Sequence, residues 1–239
     1  MFHRADGRYV LAGPRAAALE VDVAASTITI APAELGVQRQ LVASFGIPLV
    51  MGDGVLLVHG SACARDGEAI VVCADSGSGK SSVLVRLIDE GWASLSEDLC
   101  TIDLRGDRPR VWPGPPWVRV AHGEPGPSQA AVAFVSGDKT AFDTSPIHAT
   151  EAVDLSRVIT LDPPGGDSDE VRTLSRADAL RTLARHAVWL GASNERGRQL
   201  FEPVAQLASQ VPTVRLRLPR HAEWRNNVSA AVAATASPT

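Results

Sequence analysis

The stretch Val71-Val72-Cys73-Ala74-Asp75-Ser76-Gly77-Ser78-Gly79-Lys80-Ser81-Ser82 constrains the fold of this chain more than any other. Ala69 to Cys73 is an unbroken apolar run, the pattern of a buried strand. A glycine-containing turn follows it. From Ser81 onward, Val83, Leu84, Leu87 and Ile88 share one face at helical spacing. Strand, glycine turn, Lys-Ser and helix together make a phosphate-binding loop. Its candidate nucleotide-binding residues are Asp75, Ser76, Gly77, Ser78, Gly79, Lys80, Ser81 and Ser82. Backbone N–H groups and the open helix start offer donors and positive partial charge to an anion. Lys80 would reach the β- and γ-phosphates, and the Ser81 hydroxyl would hold Mg²⁺. Ala74 stands where the usual G-x-x-x-x-G-K-[ST] pattern has its first glycine.

Bulk properties narrow the class. A chain of 239 residues with 45% hydrophobic content makes one large domain, or one domain with a small N-terminal appendage. The expected division is residues 1–50 as strands and a helix packed on the core, 51–235 as the main domain, and 236–239 as a frayed tail. A net charge of −4 with scattered basic residues gives no field for nucleic acid. Cys63, Cys73 and Cys100 form no C-x-x-C pair and sit in apolar runs, so buried thiols in a reducing cytoplasm are expected. Met1 to Asp6 lacks the apolar core of a secretory signal, and no run reaches the roughly 18 apolar residues of a membrane span.

Along the chain, Leu19–Val23 and Thr27–Ile30 alternate as strands, and residues 33 to 45 read as a helix with Leu35, Leu41, Val42 and Phe45 inward. Val55 to Ala64 is one strand-like run, and Asp66-Gly67 signals a hairpin into the phosphate-loop strand. Gly91 stops the loop helix. Trp92–Ser96 and Cys100–Leu104 read as strands, the second pairing with Arg110–Trp112. Further strands are expected at Ala131–Val135, Thr140–Phe142, Val158–Leu161, Glu170–Leu174 and Val214–Leu218. Ser175 caps a helix that runs to Gly191, a second helix covers Glu195 to Ser209, and a last one lies near Trp224 to Ala233. A βαβ unit flanked by hairpins predicts an α/β fold with a mixed β-sheet and flanking helices.

The chemistry surrounding the phosphate loop decides its use. No Leu-Ser-Gly-Gly-Gln or Asn-Lys-x-Asp is present, which excludes a transport ATPase and a guanine-specific GTPase. Val158 to Asp162, an apolar strand ending in an acid, is the best Walker-B-like candidate for a metal-binding strand end, and it reads more simply as a strand running into the Asp162-Pro163-Pro164-Gly165-Gly166 turn. Glu97-Asp98 ends the strand after the loop helix, where ligands of open α/β sheets gather. One carboxylate there would hold Mg²⁺ and the other accept the proton of an attacking hydroxyl. His59 ends an apolar run, where a lone histidine is more often a structural group satisfied by a backbone partner.

His59-Gly60-Ser61-Ala62, Asp66-Gly67, Ala74 to Ser81 and Leu95-Ser96-Glu97-Asp98 together resemble the HPr kinase/phosphorylase family. The likeness is greater to its short members, including those of lasso-peptide biosynthesis clusters. It covers His59 to about Asp103 and continues weakly through Ala152–Leu155 and Leu216–Pro219. The resemblance implies a P-loop kinase core of the HPr kinase/PEP carboxykinase-like type that uses ATP and Mg²⁺. It implies phosphorylation of a serine-type hydroxyl on a peptide or protein, with a ribosomally made natural-product (RiPP) precursor as one form. His59 matches the histidine beside the reacting phosphate, and Glu97 and Asp98 match the paired aspartates, Glu97 being one methylene longer. Trp112 to Val120 stands where the family has a signature with a metal-contacting glutamate, and no such glutamate is present. Arg119 and Lys139 are candidates for nucleotide or product phosphate. The catalytic candidates are therefore His59, Lys80, Glu97 and Asp98, and the metal candidates Ser81, Glu97 and Asp98. Two other readings share the scaffold: a kinase of a small hydroxy metabolite, and a nucleotide-binding regulatory protein without transfer. The acceptor region falls in the loops from Trp112 to Asp143 or in the C-terminal helices, and association into a homo-oligomer is left open.

Overall fold

The computed structural model describes residues 2–5, 8–12, 18–32, 37–38, 41–51, 54–75, 77–165, 170–188, 196–219 and 228–235. Strands β1 (Phe2–Ala5), β2 (Arg8–Ala12), β3 (Ala18–Asp22) and β4 (Thr27–Ile30) form a four-stranded antiparallel meander. A π-helical turn, Val42–Gly46, leads into α1 (Ile47–Met51). The helical segment therefore runs past the Phe45 expected from sequence, and Leu35 lies outside the described residues. Leu19 and Val21 pack with Leu49, and with Leu57 of the following strand, so the meander is seated on the rest of the chain.

The next strands are β5 (Val55–His59), β6 (Ser61–Arg65) and β7 (Glu68–Ala74). The single run read over Val55 to Ala64 is two strands, because the chain bends at Gly60. Helix α2 (Lys80–Asp89) follows the glycine turn, then β8 (Ala93–Ser96), β9 (Leu99–Asp103) and β10 (Arg110–Trp112). Gly91 ends α2 as expected, its N–H and that of Trp92 bonding Ile88 O and Leu87 O at 3.0 Å each. β11 (Trp117–Ala121), β12 (Ala131–Ser136) and β13 (Lys139–Asp143) form a separate sheet in the order β11-β13-β12. The chain continues through β14 (Val153–Leu161), β15 (Glu170–Thr173), α3 (Arg176–His186), β16 (Ala187–Val188), α4 (Arg196–Gln210), β17 (Thr213–Arg217) and α5 (Val228–Ala234). Ser175 caps α3 as expected, accepting from Asp178 N–H. That helix ends at His186, short of Gly191, because Ala187 turns extended to pair with β5. Residues 224–227 and the tail 236–239 lie outside the described residues, and α5 is folded with Val228, Ala231 and Val232 buried. Among the described residues no helix is long and apolar enough to cross a membrane.

The main sheet is mixed, in the order β16-β5-β9-β10-β14-β7-β6-β8, with β17 on β14 and β15 on β17. β7 is buried on both faces, which is why its sequence is continuously apolar. Val71, Cys73 and Val158 face a cluster with Leu183 of α3 and Leu207 of α4. Ile70, Val72 and Ile159 face a second cluster with Leu84 and Leu87 of α2 and Val232 of α5. The strand after α2 is not the neighbour of β7: β6 lies between β7 and β8. The parallel neighbour of β7 is β14, with Leu161 opposite Ala74.

The sheet folds back on itself at one point. β5 runs into β6 through Gly60, and β8 runs into β9 through Glu97-Asp98. β5 pairs with β9, and β6 pairs with β8, both antiparallel. The two bent strands cross at their bends, where Gly60 N–H donates to Asp98 O at 3.1 Å. Gly60 is required there by space: a Cβ would lie 3.0 Å from Val72 O and 3.3 Å from Cys73 Sγ. Gly60→Ala is expected to cost about 1–3 kcal/mol in urea unfolding, as overpacking against fixed backbone does. An unchanged midpoint would mean that the crossing is not closely packed.

Candidate functional site

The crossing and the glycine turn converge on one cluster of charges. Gly77 and Gly79 take φ of 82° and 89°, a left-handed conformation that costs other residues about 1–2 kcal/mol. A Cβ on either would meet nothing within 4 Å, so conformation and not crowding selects glycine. Ser78 N–H closes the turn on Asp75 O at 3.1 Å, and Val83 N–H makes an early bond of α2 to Gly79 O at 2.9 Å. No side chain caps this end of α2, so its first N–H groups are open to a ligand. Ser81 and Ser82 sit half-buried in the first turn, Asp75 and Gly77 are exposed, and Ser76 lies outside the described residues.

Lys80 turns toward the crossing. Its Nζ donates to Ser61 Oγ at 3.3 Å and stands 3.6 Å from Asp98 Oδ1. Burial pulls the pKa of this ammonium down, and the charge of Glu97 opposes that pull. Arg119, on β11, bonds both acids: its Nε lies 3.0 Å from Glu97 Oε2, and its Nη2 contacts Asp98 Oδ2. Lys139 Nζ, from the first residue of β13, is 3.9 Å from Asp98 Oδ1. Three cations from three elements thus surround one pair of carboxylates. Glu97 Oε1 is the exception, a buried oxygen with no hydrogen-bond partner.

Backbone strain accompanies the acids. Asp98 has φ of 71°, uncommon for a residue with a side chain. Leu99 N–H reaches back over it to Glu97 O at 3.0 Å, closing a three-residue γ-turn of the strained, positive-φ kind. Such conformations cost on the order of 1–3 kcal/mol and persist where surroundings fix them. Here Ser96 Oγ donates to Leu99 O at 2.6 Å and Gly60 N–H holds Asp98 O. A further brace holds the loop that enters β11. His148 places Nδ1 2.9 Å from Ser94 Oγ and Nε2 3.2 Å from Gly114 O. Gly114 N–H in turn donates to Leu95 O at 2.7 Å.

His59 ends β5 at the crossing and is exposed; burial, then the charges of Lys80 and Lys139, hold its pKa below the usual value. Every described site residue read from sequence therefore lies at the turn or at the crossing. Asp162 follows Leu161, which stands opposite Ala74 where the turn begins, and its carboxylate is engaged by Arg215 Nε at 3.6 Å and Arg217 Nη2 at 3.3 Å. It ends the parallel neighbour strand and is held there by two arginines of β17. Ser61, the partner of Lys80, was visible only as part of the His59-to-Ala62 stretch. His186, whose ring lies in the electrostatic neighbourhood of Asp75, His59 and Lys80, had no sequence signal. Cys63, Cys73 and Cys100 are buried free thiols, and burial pushes Cys100 up to about 12, so none is a ready nucleophile.

No protein-family model matches the chain, and no curated protein matches it in sequence. Among solved structures, an Hpr(Ser) kinase/phosphatase from Coxiella burnetii is similar at 12% identity and a TM-score of 0.44. That match covers 74% of this chain and 94% of the other.

The arginine clamp has a testable energetic signature. Removing one partner of a buried pair leaves an uncompensated charge and costs about 3–5 kcal/mol. Arg119→Met is expected to lose about that much in denaturant unfolding at pH 7. Adding Glu97→Gln should restore much of the loss, since the stranded charge is then gone. Additive losses in the double variant would contradict the pairing.

Proposed function

We propose that this chain is an ATP- and Mg²⁺-dependent kinase that phosphorylates a serine-type hydroxyl on a peptide or protein. The observation that carries this reading is the meeting of Lys80, from the glycine turn, with the carboxylates Glu97 and Asp98 at the strand crossing. A phosphate-holding cation and an acid pair in one cluster are the two halves a phosphoryl transfer needs.

The donor set suits Mg²⁺. The described residues hold no cluster of three or more His, Cys, Asp or Glu side chains for a metal. Magnesium is usually held by one or two carboxylates together with substrate phosphates and water. Glu97, with its orphaned buried Oε1, and the Ser81 hydroxyl are the residues that would hold it. When bound, it would neutralise charge on the phosphates.

The roles of the acids follow from access. The Asp98 side chain is 26% exposed and that of Glu97 is 2% exposed. Asp98 is the carboxylate an incoming hydroxyl can touch, so it takes the proton. The hydroxyl oxygen then bonds to the γ-phosphorus as the bond to the bridging oxygen breaks, and ADP leaves. Lys80 leaves Asp98 for the β- and γ-phosphates, which frees the base as the nucleotide arrives. Arg119 and Lys139 remain to balance charge on the transferred group. Catalysis on this scheme comes from positioning and charge neutralisation.

The acceptor class comes from the sequence resemblance: a serine on a peptide, with a ribosomally made natural-product precursor such as a lasso peptide as its specific form. The engagement of both acids by Arg119 also favours a second reading, a nucleotide-binding regulator in which the acids are permanently tied. ADP formation separates the two. With ATP, Mg²⁺ and an acceptor, Lys80→Ala is expected to abolish ADP formation while thermal melting stays near wild type. Asp98→Asn should abolish turnover, and Glu97→Gln should shift the Mg²⁺ requirement. Wild-type rates in all three variants would remove the kinase reading.

A further inference from the structure

The histidines whose side chains are described, His59, His122, His148 and His186, fall into two kinds. His148 has both ring nitrogens bonded, to Ser94 and Gly114, and His122 places Nδ1 3.2 Å from Thr140 Oγ1. Each of these rings has a partner within the fold. His59 and His186 have no hydrogen-bond partner among the described residues, although His186 is half-buried. A half-buried ring with unpaired nitrogens carries a desolvation cost that a polar ligand would relieve.

Topology brings these two rings together. β16 pairs antiparallel with β5, Ala187 opposite Val58 and Val188 opposite Leu57. The ladder runs in opposite directions, so the residue before Ala187 arrives beside the residue after Val58. Those residues are His186, the last of α3, and His59, the last of β5. The two imidazoles therefore flank the strand crossing on which Lys80 converges. The groups facing His186 are Asp75 from the glycine turn, His59 from β5, Lys80 from α2 and Arg185 from its own helix. Lys139 acts on His59. Around the two rings Asp75 stands with Arg185, Lys80 and Lys139, and the two lysines also lie near Asp98, so phosphate oxygens would compete with that carboxylate for them.

We propose that His186 is a second phosphate-contacting histidine of this site, lining the nucleotide's phosphates together with His59. The assignment rests on the nucleotide-binding reading of the glycine turn and adds to it a residue that the motifs do not contain. A neutral ring donates one hydrogen bond to a phosphate oxygen, and a protonated ring donates a charge-assisted one. Burial and the neighbouring cations keep His186 below the ordinary imidazole value in the free protein, whereas phosphate charge favours the protonated form. Nucleotide binding should then draw a proton onto the site in the weakly acidic range.

The test uses binding of AMP-PNP with Mg²⁺, which carries three phosphates and is not turned over. Calorimetry in two buffers of different ionisation enthalpy at pH 6.5 reads the protons taken up. The wild type is expected to take up protons, and His186→Gln to take up fewer. Its affinity should fall roughly tenfold or more at pH 6, as for a lost charge-assisted hydrogen bond, and less at pH 8. Arg185→Gln, which changes charge on the same helix end, should not reproduce that pH dependence. In the wild type, the His186 ring resonance should titrate at higher pH with AMP-PNP than without, a readout that needs no variant. Unchanged affinity and proton uptake in His186→Gln, or an unmoved ring titration, overturns the proposal and leaves the kinase reading standing. Failure of the wild type to bind AMP-PNP overturns both.

Discussion

The hydrogen bond from Gly60 N–H to Asp98 O ties together the two bends on which this molecule depends. Each bend belongs to a strand that changes partners, β5 into β6 and β8 into β9. Without the crossing, the sheet would carry His59, Ser61, Glu97 and Asp98 on separate edges. With it, four polar side chains from two distant segments stand at one point, beside the strand that leads into the glycine turn. A side chain at residue 60 would press on Val72 O and Cys73 Sγ, and the crossing holds Asp98 in a conformation that costs free energy. Strain of this kind aims a carboxylate at a fixed place before any ligand arrives.

Electrostatics then explains why the acids can stay there. Two adjacent carboxylates, one of them buried, would repel each other and lose their hydration. Arg119 answers both with one planar group, a geometry that lysine does not supply. Lys80 and Lys139 add charge on the more exposed acid. The result is near local balance, poised so that added phosphate charge would redistribute the cations. Burial first, and then the nearby cations, lower the pKa of His59 and His186 from the usual imidazole value, with Asp75 opposing the shift at His186.

Much of this was legible from sequence wherever the determinants are local. The glycine turn, the Asp66-Gly67 hairpin, the Ser175 cap and the Gly91 stop are each written in a few adjacent residues, and each is present. The acid pair was legible because it ends a strand that follows a helix. Other features depend on pairings across long separations. The Val55 to Ala64 run is uniformly apolar save for His59 and Ser61, so its bend at Gly60 is set by contact with Val72 and Cys73, not by a turn signature. α3 stops at His186 because β5 offers an edge to Ala187, and no residue there announces it. Arg119 was legible as a phosphate candidate, but only the packing of β11 near the crossing shows which acids it meets. Asp162 has the local pattern of a metal-binding strand end, and its arginine partners come from β17, far along the chain.

The proposed reaction moves the γ-phosphoryl group of ATP to a serine-type hydroxyl. Its most direct test is mass spectrometry of a serine-centred peptide library incubated with the protein, ATP and Mg²⁺. Phosphoserine is expected in a subset of peptides, matched by ADP and lost when Asp98 is replaced by Asn. ADP formed without any phosphorylated peptide or small-molecule product, or ATP bound and returned intact, would contradict it.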